Sequence, residues 1–320
     1  MKDLKIIFMG TPEFAVATLG ALLMNGYNVA CVVTAPDKPA GRGRKIIKSA
    51  VKEFAEISSL PVLQPVNLKD PAFIAALEEF KADLFIVVAF RMLPQVVWKI
   101  PSIGTINLHA SLLPDYRGAA PINHAIMNGE SITGVTTFFI DEKIDTGKIL
   151  LTEETPIFPI ENAGDLHYRL MKLGARLMIR TLEGISDNTL KPTSQSEYFK
   201  TDGPIKPAPK IHPEDCIINW DNDTIKIHNC IRGLSPSPCA RSLLRKDTTT
   251  ISFKIYESQS VIESHDLRPG SILSDGEHVI RIACSDGFIN VISLQLEGRK
   301  RLNTSEFLRG FKIADYKIVS

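Results

Sequence analysis

The first half of the chain alternates short apolar segments with longer segments of helical spacing, and this alternation constrains the fold more than any other feature. The apolar segments are rich in Ile, Val and Phe and have the length of buried strands; they are residues 5–9, 29–34, 83–88, 105–108 and 135–140. The segments of helical length between them are residues 13–24, 49–58, 71–80 and 121–127. Because parallel strands need crossover connections, the alternation predicts a parallel α/β sheet.

The second half of the chain has a different pattern. An amphipathic helix over residues 162–182, with Asn162 as its N-cap, closes the first part. Turn residues and prolines then dominate, which predicts a semi-rigid linker. Asp223 caps a short helix that stops at Gly233, and short strands alternate with Asp-Gly turns over residues 250–256, 270–273, 279–284 and 289–296. The strands predict a small β-barrel, and an OB-type barrel would suit nucleic acid.

Length and composition restrict the class of protein. A chain of 320 residues favours two domains, which we place at residues 1–188 and 208–320 with a linker at 189–207. The net charge of +1 excludes a wholly basic binder. No apolar stretch is long enough to span a bilayer, so we expect a cytoplasmic protein without a membrane anchor. The five cysteines are odd in number and lack a C-x-x-C pair, which argues against a disulfide framework and a metal site. We expect a monomer.

Three polar side chains are expected to meet at one edge of the predicted sheet. Asn107 and His109 lie two residues apart at the end of a strand, so they share a face at its carboxyl end, where α/β sheets bind ligands. The next strand ends shortly before Asp145, on the neighbouring rim. The alternative is that Asn107 and His109 merely satisfy turns and that Asp145 starts a turn before Gly147. The composition alone favours neither interpretation.

The trio suits acyl transfer to an amine. An Asn amide and a His held near a carboxylate can donate to a carbonyl oxygen as it becomes an oxyanion. The carboxylate can take the proton from the attacking amine. No serine stands in a G-x-S-x-G setting, so direct transfer is favoured over a covalent acyl-enzyme. Gly10 follows the first strand, but Pro12 and Ala15 stand where a dinucleotide-binding motif needs glycine.

A basic loop is the second candidate site. Between Asp37 and Lys52 the sequence is rich in Gly and Pro, and six basic residues face one acidic residue. The basic residues are Lys38, Arg42, Arg44, Lys45, Lys48 and Lys52. Such a cluster is typical of a phosphate-backbone contact. A solvated surface loop is the alternative, but this much positive charge in a near-neutral chain favours nucleic acid.

Several of these segments together resemble a known family. Residues 107–114 and 116–118, with Asp-Thr-Gly at 145–147, resemble the signature of formyltransferases that use 10-formyltetrahydrofolate. Residues 7–14 and 36–43 are similar to the members that act on initiator methionyl-tRNA. Further similarity at residues 210–211, 218–220, 231–233 and 236–238 extends the resemblance over nearly the whole chain.

The resemblance implies a Rossmann-like catalytic domain followed by a smaller OB-like domain that helps to hold initiator tRNA. It implies formyl transfer from 10-formyltetrahydrofolate to the α-amine of the tRNA-bound methionine. The implied catalytic residues are Asn107, His109 and Asp145. The implied folate-contacting residues are Ser111, Leu112, Leu113 and Pro114. The implied tRNA-contacting residues are Arg42, which inserts at the acceptor end, and Lys38, Arg44, Lys45 and Lys210.

Two other functions fit parts of the sequence. A sugar-amine formyltransferase would share the trio, but the basic loop argues against it. A non-catalytic RNA-binding homologue would keep the fold, but the intact Asn107, His109 and Asp145 argue against that. A formylation assay with both kinds of acceptor separates the three possibilities.

Overall fold

A computed structural model of the chain describes residues 4–40, 45–198 and 203–319. The contacts divide the chain into two compact units. The first unit comprises Met1–Gly118, Thr133–Thr155 and His167–Pro207, and the second comprises Ala119–Ile132, Pro156–Leu166 and Ala208–Ser320. Two segments of the first half therefore belong to the second unit, which differs from the continuous domains that we expect from the sequence.

The first half alternates strands and helices, as the sequence predicts. In chain order its elements are β1 (Lys5–Gly10), α1 (Glu13–Met24), β2 (Asn28–Val33), β3 (Lys38–Ala40), β4 (Lys45–Ile47), α2 (Ala50–Ile57), β5 (Val62–Leu63), α3 (Pro71–Glu79), β6 (Leu84–Val88), α4 (Gln95–Trp98), β7 (Gly104–His109), β8 (Arg117–Gly118), α5 (Pro121–Met127), β9 (Ile132–Phe139), β10 (Ile149–Pro156) and α6 (Ala163–Ser186). Local signals start several helices: Ser49 caps α2, and Asp70 caps α3 ahead of Pro71.

Seven strands of the described residues form one sheet in the order β10-β9-β7-β6-β1-β2-β5. The neighbours from β7 through β5 pair in parallel. All five residues of β6 are buried, as expected of a central strand that is covered on both faces. Phe85 of β6 packs with Met9 of β1 and Leu77 of α3 in the core on one side of the sheet. This rigid sheet holds the carboxyl end of β7 in place.

The prediction of a parallel sheet is wrong for β9, the strand that pairs with β7. β9 runs antiparallel to β7, with His109 opposite Thr136 and Ile106 opposite Phe139. Antiparallel strands at the edge of an otherwise parallel sheet are common, and an apolar segment carries no information about its direction. The loop after β9 therefore begins beside the middle of β7, away from its carboxyl end.

The second unit is mostly antiparallel β-structure. Its elements from residue 207 onward are β11 (Pro207–Ala208), α7 (Thr224–Leu234), β12 (Ala240–Lys246), β13 (Thr249–Ile262), β14 (Ile272–Ser274), β15 (Ile280–Ala283), β16 (Gly287–Leu296), β17 (Leu302–Asn303), α8 (Thr304–Leu308) and β18 (Lys317–Val319). Its main sheet has the order β14-β15-β16-β13-β12-β18 in the described residues, with β17 beside β16. Asp223 caps α7 as expected, through a hydrogen bond of 2.7 Å from Lys226 N. The prediction of a Rossmann-like α/β domain followed by a smaller β domain is thus confirmed.

Helix α7 explains why two early segments belong to the second unit. The Arg232 guanidinium is buried and donates to the carbonyls of Phe158 and Glu161, at 3.3 and 3.2 Å. The carbonyl of Gly233 accepts a hydrogen bond of 2.7 Å from the Asn123 side chain. Buried polar groups need such partners, so α7 is packed against residues 119–132 and 156–166. Among the described residues, no helix has both the length and the hydropathy of a membrane span.

Candidate active site

Two ionisable side chains face each other at the end of β7. His109 is the last residue of the strand, and its Nδ1 lies 3.8 Å from Oδ2 of Asp145. The same carboxylate oxygen accepts a hydrogen bond of 2.9 Å from the backbone N–H of Gly118. Only 8% of the His109 side chain and 13% of the Asp145 side chain are exposed. Water therefore screens this pair little, which strengthens electrostatic interactions inside the site.

The backbone determines which nitrogen of His109 carries the permanent proton. Nε2 lies 2.8 Å from the carbonyl oxygen of Tyr116. A carbonyl oxygen can only accept, so Nε2 donates to it and Nδ1 is the nitrogen that gains or loses a proton. Since Nδ1 faces Asp145, any proton that His109 exchanges with a ligand passes on the side of the carboxylate.

Asn107 supplies a third polar group on the same strand. It lies two residues before His109, so the two side chains leave the same face of the sheet. Asn107 is half-buried, between Val87 of β6 and Phe138 of β9 in the strand register. Within the described ranges, no hydrogen bond uses its side-chain amide. Its two N–H donors are therefore available to a bound carbonyl group.

The loop after β9 turns back to bring Asp145 to His109. Asp145 has a left-handed backbone with φ of 53°, a conformation that Asp adopts more readily than most residues. Gly147 follows and comes very close to β9, because a Cβ at this position would lie 1.7 Å from the Phe139 carbonyl oxygen. Only glycine fits there, so the return path of this loop depends on Gly147.

Replacing Gly147 by alanine is expected to destabilise the protein by about 3 kcal/mol or more, because the new methyl group meets a backbone carbonyl that cannot move aside. Urea unfolding followed by circular dichroism measures the effect. Gly310→Ala is the matched control, since no heavy atom lies within 4 Å of a Cβ at that position. Equal unfolding midpoints of the two variants would contradict the close approach.

A residue that the sequence did not single out holds the same loop. Gln195 is 3% exposed, and its Nε2 donates at 2.9 Å to the carbonyl oxygens of both Asp145 and Gly147. Its Oε1 accepts from Arg117, at 2.6 Å from Nη2 and 3.2 Å from Nε. Gln195 lies in the predicted linker, where a lone polar residue carries no signal of this role. The one hint is Arg117 in the family-like segment 116–118.

The predicted folate-contacting segment forms the turn after β7. Ser111 and Leu113 are buried, and Ser111 Oγ donates at 2.7 Å to the carbonyl of Asp115. Leu112 and Pro114 are half-buried. A ligand at this turn would therefore meet Leu112, Pro114 and the backbone, while Ser111 and Leu113 give the turn its shape.

The sequence matches known protein families over both domains. A family model described as formyl transferase matches residues 4–182, and one described as formyl transferase, C-terminal domain, matches residues 210–312. A methionyl-tRNA formyltransferase of Bacteroides thetaiotaomicron is 51% identical over 319 residues, which is 99% of each chain. One from Flavobacterium johnsoniae is 52% identical over 315 residues, which is 98% of each chain. The chain belongs to the methionyl-tRNA formyltransferase family.

A solved structure shares the fold with this member of the methionyl-tRNA formyltransferase family. It is an N-formyltransferase from Helicobacter canadensis in complex with folinic acid and dTDP-3-aminofucose. The TM-score is 0.64 at 23% identity, over 90% of this chain and 98% of that one. At that identity the likeness concerns the fold alone.

In this methionyl-tRNA formyltransferase family member, the predicted basic loop starts and ends as a two-stranded ribbon. β3 pairs antiparallel with β4, with Lys38 opposite Ile47. Asp37 anchors the base: its carboxylate accepts from Lys52 Nζ at 2.6 Å and from Gln64 Nε2 at 2.8 Å. The hydrogen bond from Lys52 lowers the pKa of Asp37, so this carboxylate stays charged. The ribbon is therefore held firmly at its base.

The ion pairs also show which basic residues of the loop are free to meet a ligand. Lys48 pairs with Glu56 at 2.6 Å, and Lys52 pairs with Asp37, so two of the six cations are already neutralised. Lys38 is exposed, and no carboxylate in the described part of the chain pairs with it. Arg42 and Arg44 lie outside the described residues, and Lys45 is the first residue of β4. Lys210 is exposed in the second unit.

Four of the five cysteines are unsuited to nucleophilic chemistry. Burial raises the pKa of Cys31 and Cys284 to about 12 and that of Cys230 and Cys239 to about 11. These thiols stay protonated near neutral pH, and a protonated thiol is a poor nucleophile. Within residues 4–40, 45–198 and 203–319, no group of three or more His, Cys, Asp and Glu side chains is placed to hold a metal ion.

Proposed function

We propose that this protein transfers the formyl group of 10-formyltetrahydrofolate to the α-amine of methionine on initiator methionyl-tRNA, as a monomer in the cytoplasm. The observation that carries the proposal is the approach of His109 to Asp145 at the end of the strand whose same face carries Asn107. It occurs in a chain that matches methionyl-tRNA formyltransferases over nearly its full length. The activity named for those relatives and the approach of His109 to Asp145 support the same reaction.

Asn107 and His109 are the residues that act on the formyl oxygen. When the amine nitrogen attacks the formyl carbon, negative charge develops on that oxygen. The side-chain N–H groups of Asn107 can donate to it, since they make no hydrogen bond within the described residues, and a protonated Nδ1 of His109 adds a second donor. Donors that are already in position stabilise the transition state without reorganisation.

Asp145 and His109 move the protons. Asp145 accepts the proton that the amine loses as the new C–N bond forms. The bond from the formyl carbon to the folate nitrogen then breaks, and that nitrogen takes a proton from Nδ1 of His109. Transfer of the proton from Asp145 to Nδ1 of His109, 3.8 Å away, then restores the pair. The formyl group passes directly from one nitrogen to the other, without a covalent intermediate on the protein.

The turn that contains Leu112 and Pro114 is where we place the folate, next to Asn107 and His109 in the chain. The tRNA contacts are assigned to Lys38, Arg42, Arg44 and Lys45 of the basic loop, together with Lys210. Arg is well suited to the acceptor end because its planar guanidinium can contact phosphate or a base edge with two hydrogen bonds.

One assay tests the function. Purified protein is supplied with labelled 10-formyltetrahydrofolate and one of three acceptors: initiator methionyl-tRNA, elongator methionyl-tRNA or a nucleotide-linked amino sugar. Efficient transfer to the initiator alone supports the proposal. Preferred transfer to the amino sugar would overturn the acceptor, and no transfer to any acceptor would leave a non-catalytic RNA-binding protein.

The ion pairs of the basic loop lead to a prediction about salt. Lys38→Ala is expected to flatten the slope of log K for tRNA against log salt concentration by about 0.7–0.9, the contribution of one neutralised phosphate. Folate binding should not change. The slope is measured from tRNA binding titrations at several salt concentrations.

Lys48→Ala is the matched control for Lys38→Ala. It removes the same charge from the same loop, but Lys48 is already paired with Glu56 and contributes less to a phosphate contact. A change of slope in Lys48→Ala as large as in Lys38→Ala would mean that overall charge, and not the free cations of the ribbon, governs tRNA binding.

A further inference from the structure

The segment predicted as a linker is bound to the first unit at several points. Thr193 pairs with Ile149 at the start of β10, with N–H to carbonyl distances of 2.9 Å in both directions. Two residues later, Gln195 makes its four hydrogen bonds to Asp145, Gly147 and Arg117. A passive spacer would be exposed and unpaired, whereas Gln195 is almost completely buried.

The far end of the same segment holds the turn that contacts His109. The backbone N–H of Lys206 donates at 2.9 Å to Oδ1 of Asp115, and its carbonyl accepts at 2.6 Å from Tyr116 N. The carbonyl of Tyr116 in turn accepts from His109 Nε2. Gln195 thus contacts Asp145 directly, whereas Lys206 is connected to His109 through Tyr116.

We infer that the contacts of Thr193, Gln195 and Lys206 position the catalytic pair, and that Gln195 is a positioning residue for Asp145. The inference rests on the proposed function, because it assigns catalysis to Asp145. Gln195 does not need to touch a substrate. It holds the backbone of Asp145 in its left-handed conformation, which a non-glycine residue adopts only when its surroundings maintain it.

The chemistry of this position requires an amide. One side chain donates from its nitrogen to two carbonyls and accepts at its oxygen from a guanidinium. A glutamate carboxylate could still accept from Arg117. Its second oxygen would then face the carbonyl oxygens of Asp145 and Gly147, which are also acceptors. A thioether of similar length would fill the space and make neither set of hydrogen bonds. Only glutamine at this length satisfies both sides.

The test uses the full-length chain with Gln195→Met. We expect kcat to fall about 10- to 100-fold, the range for a catalytic group displaced by about 1 Å, while KM for tRNA and for folate stays within about twofold. Gln195→Glu should also lose activity although it retains the contact with Arg117. A kcat of Gln195→Met within twofold of wild type would overturn the inference.

The matched control is Gln295→Met in the second unit. Gln295 is half-buried and makes two hydrogen bonds of the same kinds: its Nε2 donates to the Arg299 carbonyl at 2.7 Å, and its Oε1 accepts from the Tyr256 hydroxyl at 2.7 Å. Both variants should lose thermal stability, but only Gln195→Met should lose kcat. Equal loss of kcat in both would assign the effect to general destabilisation and overturn the inference.

A double-mutant cycle separates positioning from a purely structural role. If Gln195 acts through the Asp145 carboxylate, Gln195→Met should change kcat by less than about twofold in an Asp145→Asn background. A full additive loss there would overturn the inference. Failure of the proposed function looks different, because then wild-type protein forms no formylmethionyl-tRNA or Asp145→Asn retains full activity.

Discussion

Replacing Asp145 by asparagine is expected to lower kcat by about a thousandfold, because asparagine keeps the shape of the side chain but cannot take the proton from the attacking amine. Asparagine also tolerates a left-handed backbone, and its amide oxygen can still accept from Gly118 N. The fold and both KM values should therefore be retained. Single-turnover formylation of initiator methionyl-tRNA measures the change in the chemical step.

Asp141→Asn provides the control for Asp145→Asn. Asp141 is exposed in the same loop, and its Oδ1 accepts from the Thr146 hydroxyl at 2.7 Å, a contact that an amide oxygen can keep. Its turnover should remain within about twofold of wild type. If Asp145→Asn also stayed within tenfold of wild type while folding normally, Asp145 would not be the proton acceptor.

Truncating either oxyanion donor should also have a large effect. Asn107→Ala and His109→Ala are each expected to lower kcat by about 100- to 1,000-fold, the range for the loss of one donor to a developing oxyanion. Asn107→Ala should do so with little loss of stability, since within the described residues its amide makes no hydrogen bond that the variant would lose. Single-turnover rates and thermal unfolding of both variants check these expectations.

His265→Ala is the comparison for His109→Ala. Nε2 of His265 also bonds a backbone carbonyl, that of Gly287 at 2.9 Å, but it does so in the second unit. The loss of a histidine–carbonyl hydrogen bond is therefore matched, and only His109→Ala should lose turnover at saturating tRNA. Near-wild-type kcat in His109→Ala or Asn107→Ala would remove that residue from the proposed mechanism.

The sequence predicts the fold better than it predicts the path of the chain through the site. Strand and helix periods are local, so alternation alone is enough to place β1, β2, β6 and β7. The direction of β9 is not local. A parallel β9 would end at the carboxyl edge and bring Asp145 there directly, as the sequence predicts. β9 is antiparallel instead, and a returning loop carries Asp145 to His109.

The positions that shape the site have weaker signals than the polar trio. Gly147 is required by a close approach to the Phe139 carbonyl, which only the folded chain reveals. Gln195 lies 50 residues from Asp145 in sequence, and nothing in the composition of its neighbourhood marks it as buried. Contacts between residues so far apart in sequence depend on tertiary structure. A sequence pattern therefore predicts the catalytic residues more readily than the residues that position them.

The packing of α7 against residues 119–132 and 156–166 limits how the chain can be divided into fragments for expression. A fragment excised as residues 208–320 would lack the Phe158 and Glu161 carbonyls and would leave the Arg232 guanidinium with fewer acceptors in an apolar setting. Breaking up a buried, hydrogen-bonded charge in this way commonly costs several kcal/mol. Recombinant fragments of residues 208–320 should therefore be poorly soluble. To express the second unit on its own, residues 119–132 and 156–166 must be fused to residues 208–320.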